Sequence, residues 1–317
     1  MNKSELKVGA LFAGVGGIEL GFMQAGFKPL LANEIDKNAG ITYMNNFKHD
    51  LVIKDIHELA ANEFPKINVL TGGFPCQAFS VAGYRKGFKD PRGNVFWEIV
   101  RILEKKKPEV IFLENVKNLT THDGGRTFKI ILEALTDLGY HIKYKIMNAY
   151  EYSSIPQNRE RIYIVGFRTK KYYNNFEFPE KNNLKLDLSK YIDFKSKIED
   201  NFYYNDKYMS KQLIKEITNR NTVYQWRRQY VRENKSGLCP TLTANMGTGG
   251  HNVPLVLTKY GIRKLTPKEC FNLMGFPKSF KLPSNVSNGN LYKQAGNAVV
   301  VPVIKRIAVN IRKSMEA

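Results

Sequence analysis

The first half of the chain alternates short apolar runs with segments of helical periodicity, and this alternation restricts the fold more than any other feature. The predicted strands there lie at 8–12, 29–34, 67–70, 109–113 and 161–167, and the predicted helices at 18–25, 37–47, 95–103 and 128–138; one more helix is predicted near the end of the chain, at 300–311. The strand at 109–113 is almost continuously apolar, as a strand covered on both faces should be. Strands that alternate with helices predict an α/β fold with a doubly wound, mostly parallel sheet.

The sequence changes character after about Thr169. Residues 170–220 are rich in Lys, Asn, Asp and Tyr, and 221–260 mix aromatic residues with Arg, Gly and Thr. A chain of 317 residues is also near the size at which one core begins to split. We therefore predict a smaller, loop-rich domain at 171–285. The larger domain is predicted to combine 1–170 with 286–317, because the last helix has an apolar face that can pack on it.

The formal net charge is +20. A polyanionic partner, with nucleic acid as the first candidate, accounts for this excess, and so does a solvated lysine-rich surface. No run approaches the ~20 apolar residues of a membrane span, and the first residues lack the apolar region of a signal peptide. We therefore expect a cytoplasmic protein with no membrane partner.

The three cysteines, Cys76, Cys239 and Cys270, are far apart. Their spacing fits neither a zinc site nor a disulfide framework, so we expect no metal. Cys270 lies in a helical pattern with Phe271 and Met274, which predicts a place in the core. Cys76 differs, because it follows an apolar strand in the turn formed by 71–77, with two glycines and a proline before it. This position favours an exposed nucleophile over a buried, inert thiol.

A glycine-rich segment, Phe12 to Gly17, lies between the first strand and the first helix. Such a turn lets a ligand approach the backbone at a helix N-terminus. By itself it fits a dinucleotide, S-adenosylmethionine or a plain tight turn, although the spacing is not that of a nicotinamide site. Glu34 ends the second strand, where a carboxylate can bind ribose hydroxyls. Asp55 can meet an adenine amino group while Ile56 packs on the ring. Each acid alone could be an ordinary surface residue, but together with the turn they favour adenosine.

Glu114 follows the apolar strand 109–113. The carboxyl ends of the strands carry the active site in this fold, so Cys76 and Glu114 are predicted to face one pocket. With these residues the sequence resembles the DNA cytosine-C5 methyltransferases, most closely the compact bacterial modification enzymes. The ordered blocks are FAGVGG at 12–17, Glu34, Asp55-Ile56, GFPCQ at 73–77, ENV at 114–116, QNRERI at 157–162, RKLTPKEC at 263–270 and GNAVV at 296–300. They span almost the whole chain, and the departures, Phe74 and Asn158, remove no chemical role.

The resemblance implies covalent catalysis, in which a cysteine thiolate adds to C6 of cytosine so that C5 can attack a methyl sulfonium. Cys76 matches the nucleophile, and Glu114 matches the group that contacts N3 and the amino group of the ring. Arg161 and Arg159 would add a positive field, although phosphate contact or salt bridging explains Arg159 equally well. The base that removes the C5 proton is not identified. The implied cofactor is S-adenosylmethionine, with these expected contacts: Phe12, Ala13, Gly14, Gly16, Gly17, Glu34, Ile35, Asp55, Ile56, Phe74, Pro75, Val95, Asn297 and Ala298.

The implied substrate is double-stranded DNA with the target base flipped out of the helix. The resemblance also implies that the domain formed by 1–170 and 286–317 is catalytic and binds S-adenosylmethionine, and that 171–285 is a target-recognition domain. The basic, glycine-rich stretch 79–93 resembles the family's mobile loop, and Thr241-Leu242 matches its Thr-Leu pair. The expected DNA contacts are Gln77, Ser80, Lys86, Arg92, Arg227, Arg228, Arg232, Thr241, Leu242, Thr243 and Asn245. Most arginine contacts in such complexes go to phosphates. The resemblance also implies a bacterial or phage source, a nucleoid location and a monomer, which is either the partner of a cognate restriction endonuclease or an orphan modification enzyme.

Three other functions remain open from the sequence. An RNA cytosine methyltransferase of related fold is the nearest, and the long insert 171–260 with its Thr-Leu pair favours DNA over it. A DNA-binding sensor of S-adenosylmethionine would not need an intact Cys76 and Glu114. A nicotinamide oxidoreductase is disfavoured by the glycine spacing.

Overall fold

A computed structural model describes residues 5–75, 95–204, 210–227, 230–247 and 253–317. Its contacts divide the chain into two compact units. The first unit comprises Met1–Met147, Glu160–Glu180 and Val303–Ala317, and the second comprises Asn148–Arg159 and Lys181–Pro302. The boundaries differ from the predicted ones, since 148–159 and 286–302 fall in the second unit and 171–180 in the first. The functional division into a catalytic and a recognition domain stays a prediction.

A seven-stranded mixed sheet forms the centre of the first unit. Its strands are β1 Lys7–Leu11, β2 Lys28–Glu34, β3 Asp50–Ile53, β4 Val69–Gly73, β5 Val110–Val116, β6 His141–Asn148 and β7 Glu160–Phe167, in the order β3-β2-β1-β4-β5-β7-β6. The four pairings from β3 to β5 are parallel, and β7 pairs with β5 in the antiparallel sense. This confirms the α/β fold with a mostly parallel sheet. The strand order reverses between β1 and β4, which is where ligands bind in such sheets.

The five predicted helices are present in the predicted order, and the structure adds further helices between the fourth and the last of them. They are α1 Gly17–Gln24, α2 Lys37–Met44, α3 Val95–Lys106, α4 Arg126–Asp137, α5 Ala149–Tyr152, α6 Lys170–Asn175, α7 Ser210–Glu216, α8 Pro267–Asn272, α9 Asn288–Asn297 and α10 Val301–Glu316. Short 3-10 turns lie at Ala61–Glu63, Lys117–Thr120, His122–Gly125, Leu188–Lys190, Asp200–Phe202 and Ala244–Gly247. Asp36 caps α2 by accepting from the backbone N–H groups of Asn38 and Ala39, which fixes where the chain turns after β2.

The core of the first unit is built by side chains of the sheet, α3 and α4. Members include Leu70, Phe96, Ile111, Ile131 and Leu135, all at most 1% exposed. The end of the chain joins this unit as well. A Cβ placed on Gly21 would lie 2.6 Å from Ile304, so α1 and α10 are in close contact only because residue 21 has no side chain.

A four-stranded antiparallel sheet forms part of the second unit. Its strands are β8 Tyr224–Arg227, β9 Tyr230–Glu233, β10 Leu255–Thr258 and β11 Gly261–Lys264, in the order β11-β10-β8-β9. Tyr224, Trp226 and Leu255 pack with Leu213 and Ile217 in its small core. The sequence did not predict this sheet, because strands of four residues are too short to show a clear period.

A buried ion pair ties β11 to the start of α8. Arg263 is fully buried and donates to both carboxylate oxygens of Glu269 at 2.7 and 2.8 Å. Glu269 also accepts from the backbone N–H groups of Thr266 at 2.8 Å and Asp193 at 2.9 Å. A buried charge persists only when it is paired in this way, so this pair fixes how the segment around Asp193 meets α8.

Candidate functional site

The glycine-rich turn between β1 and α1 is closed by backbone hydrogen bonds. The N–H of Ala13 donates to Asn33 at 2.9 Å, and the N–H of Gly16 donates to Ala13 at 2.8 Å. Gly14 and Gly16 have φ of 56° and 84°, and Phe12 also lies in the left-handed region at 53°. A Cβ on Gly14 would meet no heavy atom within 4 Å, whereas one on Gly16 would lie 2.1 Å from the Phe47 ring. Gly14 therefore faces open space, and Gly16 lets the turn close on Phe47.

Glu34 joins this turn to the end of β2. Its Oε2 accepts from the N–H of Gly14 at 2.7 Å, and its Oε1 accepts from the N–H groups of Ile35 and Asp36 at 2.9 and 2.8 Å. A carboxylate has about four acceptor positions. Backbone N–H groups occupy three of them, so among the described residues a fourth is open to a donor on a ligand. Asn33 supports the same edge by donating to the carbonyls of Val52 and Lys54.

The residues near the predicted adenine position differ in exposure and in hydrogen bonding. Ile35, directly after Glu34, is 60% exposed and offers an apolar surface beside the carboxylate. Ile56 is only 4% exposed and belongs to the core. Asp55 accepts from the N–H of His57 at 3.0 Å and pairs with His57 Nδ1 at 2.7 Å. These hydrogen bonds lower the pKa of Asp55, so the group is an anion at neutral pH.

These residues fit an adenosine-type cofactor. The carboxylate of Glu34 has an open acceptor position, Gly14 leaves space, and Ile35 presents an exposed apolar side chain. Apolar side chains combined with a few polar groups are usual where proteins bind cofactors. Glu34, Ile35 and the 12–17 turn are the residues that would hold it.

The end of β4 leads to the predicted nucleophile. Gly73 pairs in register with Glu114 of β5, and a Cβ on Gly73 would lie 3.3 Å from Glu114 Oε2. Phe74 is buried against Phe96, with ring centroids 5.7 Å apart. The side-chain amide of Asn115 donates to the carbonyl of Phe74 at 2.8 Å. The buried Asn115 therefore fixes the backbone two residues before position 76.

Glu114 and Arg161 form an ion pair where β5 and β7 run side by side. Arg161 Nε lies 3.0 Å from Glu114 Oε1, and both side chains are nearly buried, at 13% and 11% exposure. Arg161 also donates from Nη1 to the carbonyl of Glu160 at 2.8 Å. The antiparallel register places Glu114 opposite Tyr163 and Val116 opposite Arg161. The sheet thus brings together two of the four predicted catalytic residues.

Several predicted site residues lie outside the described residues. They are Cys76, Gln77, Ser80, Lys86, Arg92 and Arg228, together with the side chain of Arg227. Of the others in the first unit, Pro75 is exposed and Val95 is the half-buried first residue of α3.

The second unit contains a groove of about 600 Å³ beside the β8–β9 hairpin. It is lined by Asn158, Gln225, Trp226, Arg232, Asn234, Ser236, Leu238, Pro240, Thr241, Thr243 and Asn245. Four of these, Arg232, Thr241, Thr243 and Asn245, are predicted DNA contacts. Gln225 was not predicted, although it lies opposite Arg232 in the hairpin. Knowledge of the hairpin register would have identified it, because cross-strand neighbours share a face.

The remaining predicted residues of the second unit are buried or lie at the end of α9. Leu242 is 1% exposed and Arg159 is 3% exposed. Arg159 donates to the carbonyls of Leu242, Gly296 and Ala298 at 2.7, 3.0 and 2.7 Å. Asn297, between two of these carbonyls, is exposed.

Cys239 and Cys270 are fully buried free thiols. Burial raises the pKa of both well above the ordinary value, which makes them poor nucleophiles. The core position predicted for Cys270 is confirmed. Among the described residues, no group of three or more His, Cys, Asp or Glu could hold a metal ion. No described helix is long and apolar enough to cross a membrane.

Comparison with known sequences adds to this geometry. The family model for C-5 cytosine-specific DNA methylase matches residues 6–313. The chain is 59% identical over 314 residues to the type II methyltransferase M.Bsp6I of Bacillus sp. (strain RFL6), covering 98% of this chain and 99% of that one. It is 39% identical to M.HaeII of Haemophilus aegyptius, with 98% and 94% covered. It is 37% identical to M.HhaI of Haemophilus parahaemolyticus, with 96% and 94% covered.

Solved structures share the fold at low sequence identity. The Dnmt2 methyltransferase of S. pombe aligns with a TM-score of 0.74 and 19% identity, over 99% of this chain and all of that one. A putative DNA modification methyltransferase from an E. coli prophage aligns with a TM-score of 0.73 and 20% identity, over 99% and 100%.

Proposed function

The chain belongs to the C-5 cytosine-specific DNA methylases, and we propose that it methylates cytosine in a specific duplex sequence through a covalent bond between Cys76 and C6 of a flipped-out base. S-adenosylmethionine, when bound, supplies the methyl group on its sulfonium. A specific sequence is part of the proposal because relatives as similar as M.Bsp6I and M.HaeII are named type II methyltransferases.

One observation carries the mechanism, namely the paired Glu114 and Arg161 beside the chain that leads to Cys76. Cytosine C5 is a weak nucleophile, so the thiolate of Cys76 must first add to C6 and move electron density to N3 and C5. Glu114 is held at 3.0 Å from Arg161, next to Gly73 of β4. A carboxyl group fixed there can hydrogen-bond to N3 and the amino group as charge develops, and Arg161 stabilises that arrangement electrostatically.

A buried amide fixes the backbone at Phe74, two residues before the proposed nucleophile. Asn115 donates to the carbonyl of Phe74, and the Phe74 ring is packed against Phe96. A nucleophile two residues further on gains orientation from these contacts, and orientation supplies much of the rate of an enzyme reaction. After methyl transfer the C5 proton leaves, the C6–sulfur bond breaks, and the electron pair of that bond returns to Cys76 as the thiolate is expelled.

The cofactor and the DNA contact different described residues in this proposal. The turn 12–17, Glu34 and Ile35 would hold S-adenosylmethionine, because they combine open space, an acceptor and an exposed apolar side chain. The groove with Arg232, Thr241, Thr243 and Asn245 would contact the DNA, because these side chains can meet phosphates and base edges. A monomer on the bacterial nucleoid, paired with an endonuclease for the same site, completes the proposal.

The test is covalent trapping on duplex DNA that carries 5-fluorocytosine, because fluorine at C5 cannot leave as a proton does. Bisulfite sequencing of DNA from cells that express the protein first identifies the target site. The wild-type protein should then form a cofactor-dependent adduct that survives denaturation, and Cys76→Ala should form none. Glu114→Gln should slow adduct formation by about 10²-fold or more, a typical loss for one group that stabilises a transition state.

Cys270→Ala is the matched control, since it removes a buried cysteine of the second unit that has no role in the proposed chemistry, and it should leave trapping unchanged. An adduct formed by Cys76→Ala would refute the covalent role. If the wild-type protein methylates tRNA and no duplex, the RNA alternative replaces the DNA substrate.

A further inference from the structure

We propose that Arg159, together with Gln157 and Asn158, is a positioning residue that fixes the DNA-contacting segment 239–245, and that it is not a catalytic residue. This inference rests on the proposed function. Gln157 and Cys239 form an isolated parallel bridge between the segment 156–159 and the segment 239–242. The N–H of Cys239 donates to the carbonyl of Pro156 at 2.7 Å, and the N–H of Asn158 donates to the carbonyl of Cys239 at 2.9 Å.

Leu242 is fixed at both of its backbone polar groups. Its N–H donates to Oε1 of Gln157 at 3.3 Å, and its carbonyl accepts from Nη1 of Arg159 at 2.7 Å. Gln157 is in turn anchored, because its Nε2 donates to the carbonyl of Leu273 at 2.8 Å. Gln157, Arg159 and Leu242 are 0%, 3% and 1% exposed. Hydrogen bonds that satisfy buried groups define a single backbone path.

The same guanidinium also holds the end of α9. Arg159 Nη2 donates to the carbonyls of Gly296 and Ala298. At Gly296 the helix touches the backbone of the DNA-contacting segment, because an added Cβ would lie 2.2 Å from the carbonyl carbon of Thr243. Arg159 therefore clamps α9 against 242–244, and only glycine permits that approach.

The contacts of Gln157 and Arg159 with Leu242 also determine where the neighbouring side chains of the groove lie. Thr241 donates from its hydroxyl to the carbonyl of Asn158 at 2.5 Å. Thr243 and Asn245 follow the fixed Leu242 and bond to each other at 2.6 Å. Thr241, Thr243 and Asn245 all line the groove. Two nitrogens of the Arg159 guanidinium donate to three backbone carbonyls, and these bonds hold the backbone of the segment. Loss of Arg159 should therefore weaken DNA recognition more than it slows methyl transfer.

The experiment is steady-state kinetics of the full-length enzyme on duplex DNA with the identified site, at saturating S-adenosylmethionine. Arg159→Met should raise KM for the duplex by about 10- to 100-fold, since hydrogen bonds to a charged group contribute about 1.5–3 kcal/mol each. The turnover rate should stay within about threefold of wild type, and methylation of near-cognate sites should rise. Arg159→Lys should restore part of the loss, because an ammonium can reach some of the carbonyls. Arg220→Met, which removes an exposed charge of the same unit, is the control.

A milder variant keeps the test decisive if Arg159→Met does not fold, which a melting curve would show. Thr241→Val removes the hydroxyl that donates to the carbonyl of Asn158; it should raise KM for the duplex and leave the turnover rate near wild type. Arg159 variants that turn over about 100-fold more slowly, or worse, with KM unchanged would overturn the inference. Failure of the wild-type enzyme to methylate any duplex would instead overturn the proposed function, so the two failures are distinguishable.

Discussion

Glu19 is a buried carboxyl group in the first turn of α1, directly after the glycine-rich turn. It is 0% exposed, its Oε1 accepts from the hydroxyl of Tyr43 at 3.3 Å, and its Oε2 has no hydrogen-bond partner among the described residues. Tyr43 also pairs with His49, and the nearby carboxylate of Glu34 adds repulsion. Burial is the main cause that raises the pKa of Glu19 from an ordinary 4.5 to about 8. The folded protein therefore holds this group neutral at pH 7.

This shift predicts a loss of stability between pH 4.5 and pH 8. Above pH 4.5 the unfolded chain releases the Glu19 proton, whereas the folded state keeps it until about pH 8. The free energy of unfolding is therefore highest below pH 4.5 and decreases between pH 4.5 and about pH 8. The loss is on the order of 5 kcal/mol, since each unit of pKa difference corresponds to about 1.4 kcal/mol. Glu19→Gln cannot ionise, so its melting temperature should match wild type at pH 5 and exceed it at pH 8.

The difference in melting temperature between wild type and Glu19→Gln reports on Glu19 alone, because His49 titrates in both proteins. Burial lowers the pKa of His49, so both melting temperatures should fall at acid pH. Equal pH profiles for wild type and Glu19→Gln would show that Glu19 is ionised in the folded protein.

At the scale of elements, the β1–α1 turn depends on glycine for two separate reasons. Gly16 and Gly139 have the same φ of 84°, so both favour glycine on backbone grounds. An added Cβ on Gly139, after α4, would meet nothing within 4 Å, whereas one on Gly16 would lie 2.1 Å from Phe47. Substitutions at Gly139 and Gly16 therefore separate the loss of stability caused by the backbone conformation from the loss caused by close packing.

Gly139→Ala should destabilise the protein by about 1–2 kcal/mol, the usual cost of a left-handed residue with a Cβ. Gly16→Ala should cost about 1–3 kcal/mol more, because the new methyl group must displace the Phe47 ring. Denaturant unfolding of both variants measures the difference. Equal losses would show that Phe47 moves aside freely and that the turn tolerates a side chain at position 16.

At the scale of the whole molecule, the net charge of +20 predicts a strong salt dependence of DNA affinity. Each phosphate neutralised by Lys or Arg releases counterions, so the affinity should fall by about 10³ or more between 50 and 200 mM salt if about six phosphates are contacted. Arg232→Ala should reduce the slope by about one if Arg232 contacts a phosphate, and should relax sequence preference if it contacts a base. Fluorescence anisotropy with duplex DNA measures both, and an affinity that does not change with salt would contradict this expectation.

The sequence by itself determined the features that depend on neighbours along the chain. Alternating apolar runs predicted the order of β1, β2, β4, β5 and β7, since period and strand length are local properties. The glycine turn, Glu34 and Glu114 could be placed at strand ends for the same reason, and the ordered blocks indicated the family. The boundaries moved by a few residues, as they do when tertiary contacts set where an element ends.

Only the tertiary structure decided which distant residues meet. The motif left Arg159 open between a positive field near the base and phosphate contact or salt bridging, and it could not indicate that the acceptors of Arg159 are carbonyls 83, 137 and 139 positions away. Gln225 entered the groove because a hairpin of two four-residue strands places it opposite Arg232. A sequence pattern indicates the face of an element and the conformation of a turn. The partners of a buried side chain depend on how the whole chain packs, because hydrogen bonds between distant segments leave no period in the sequence.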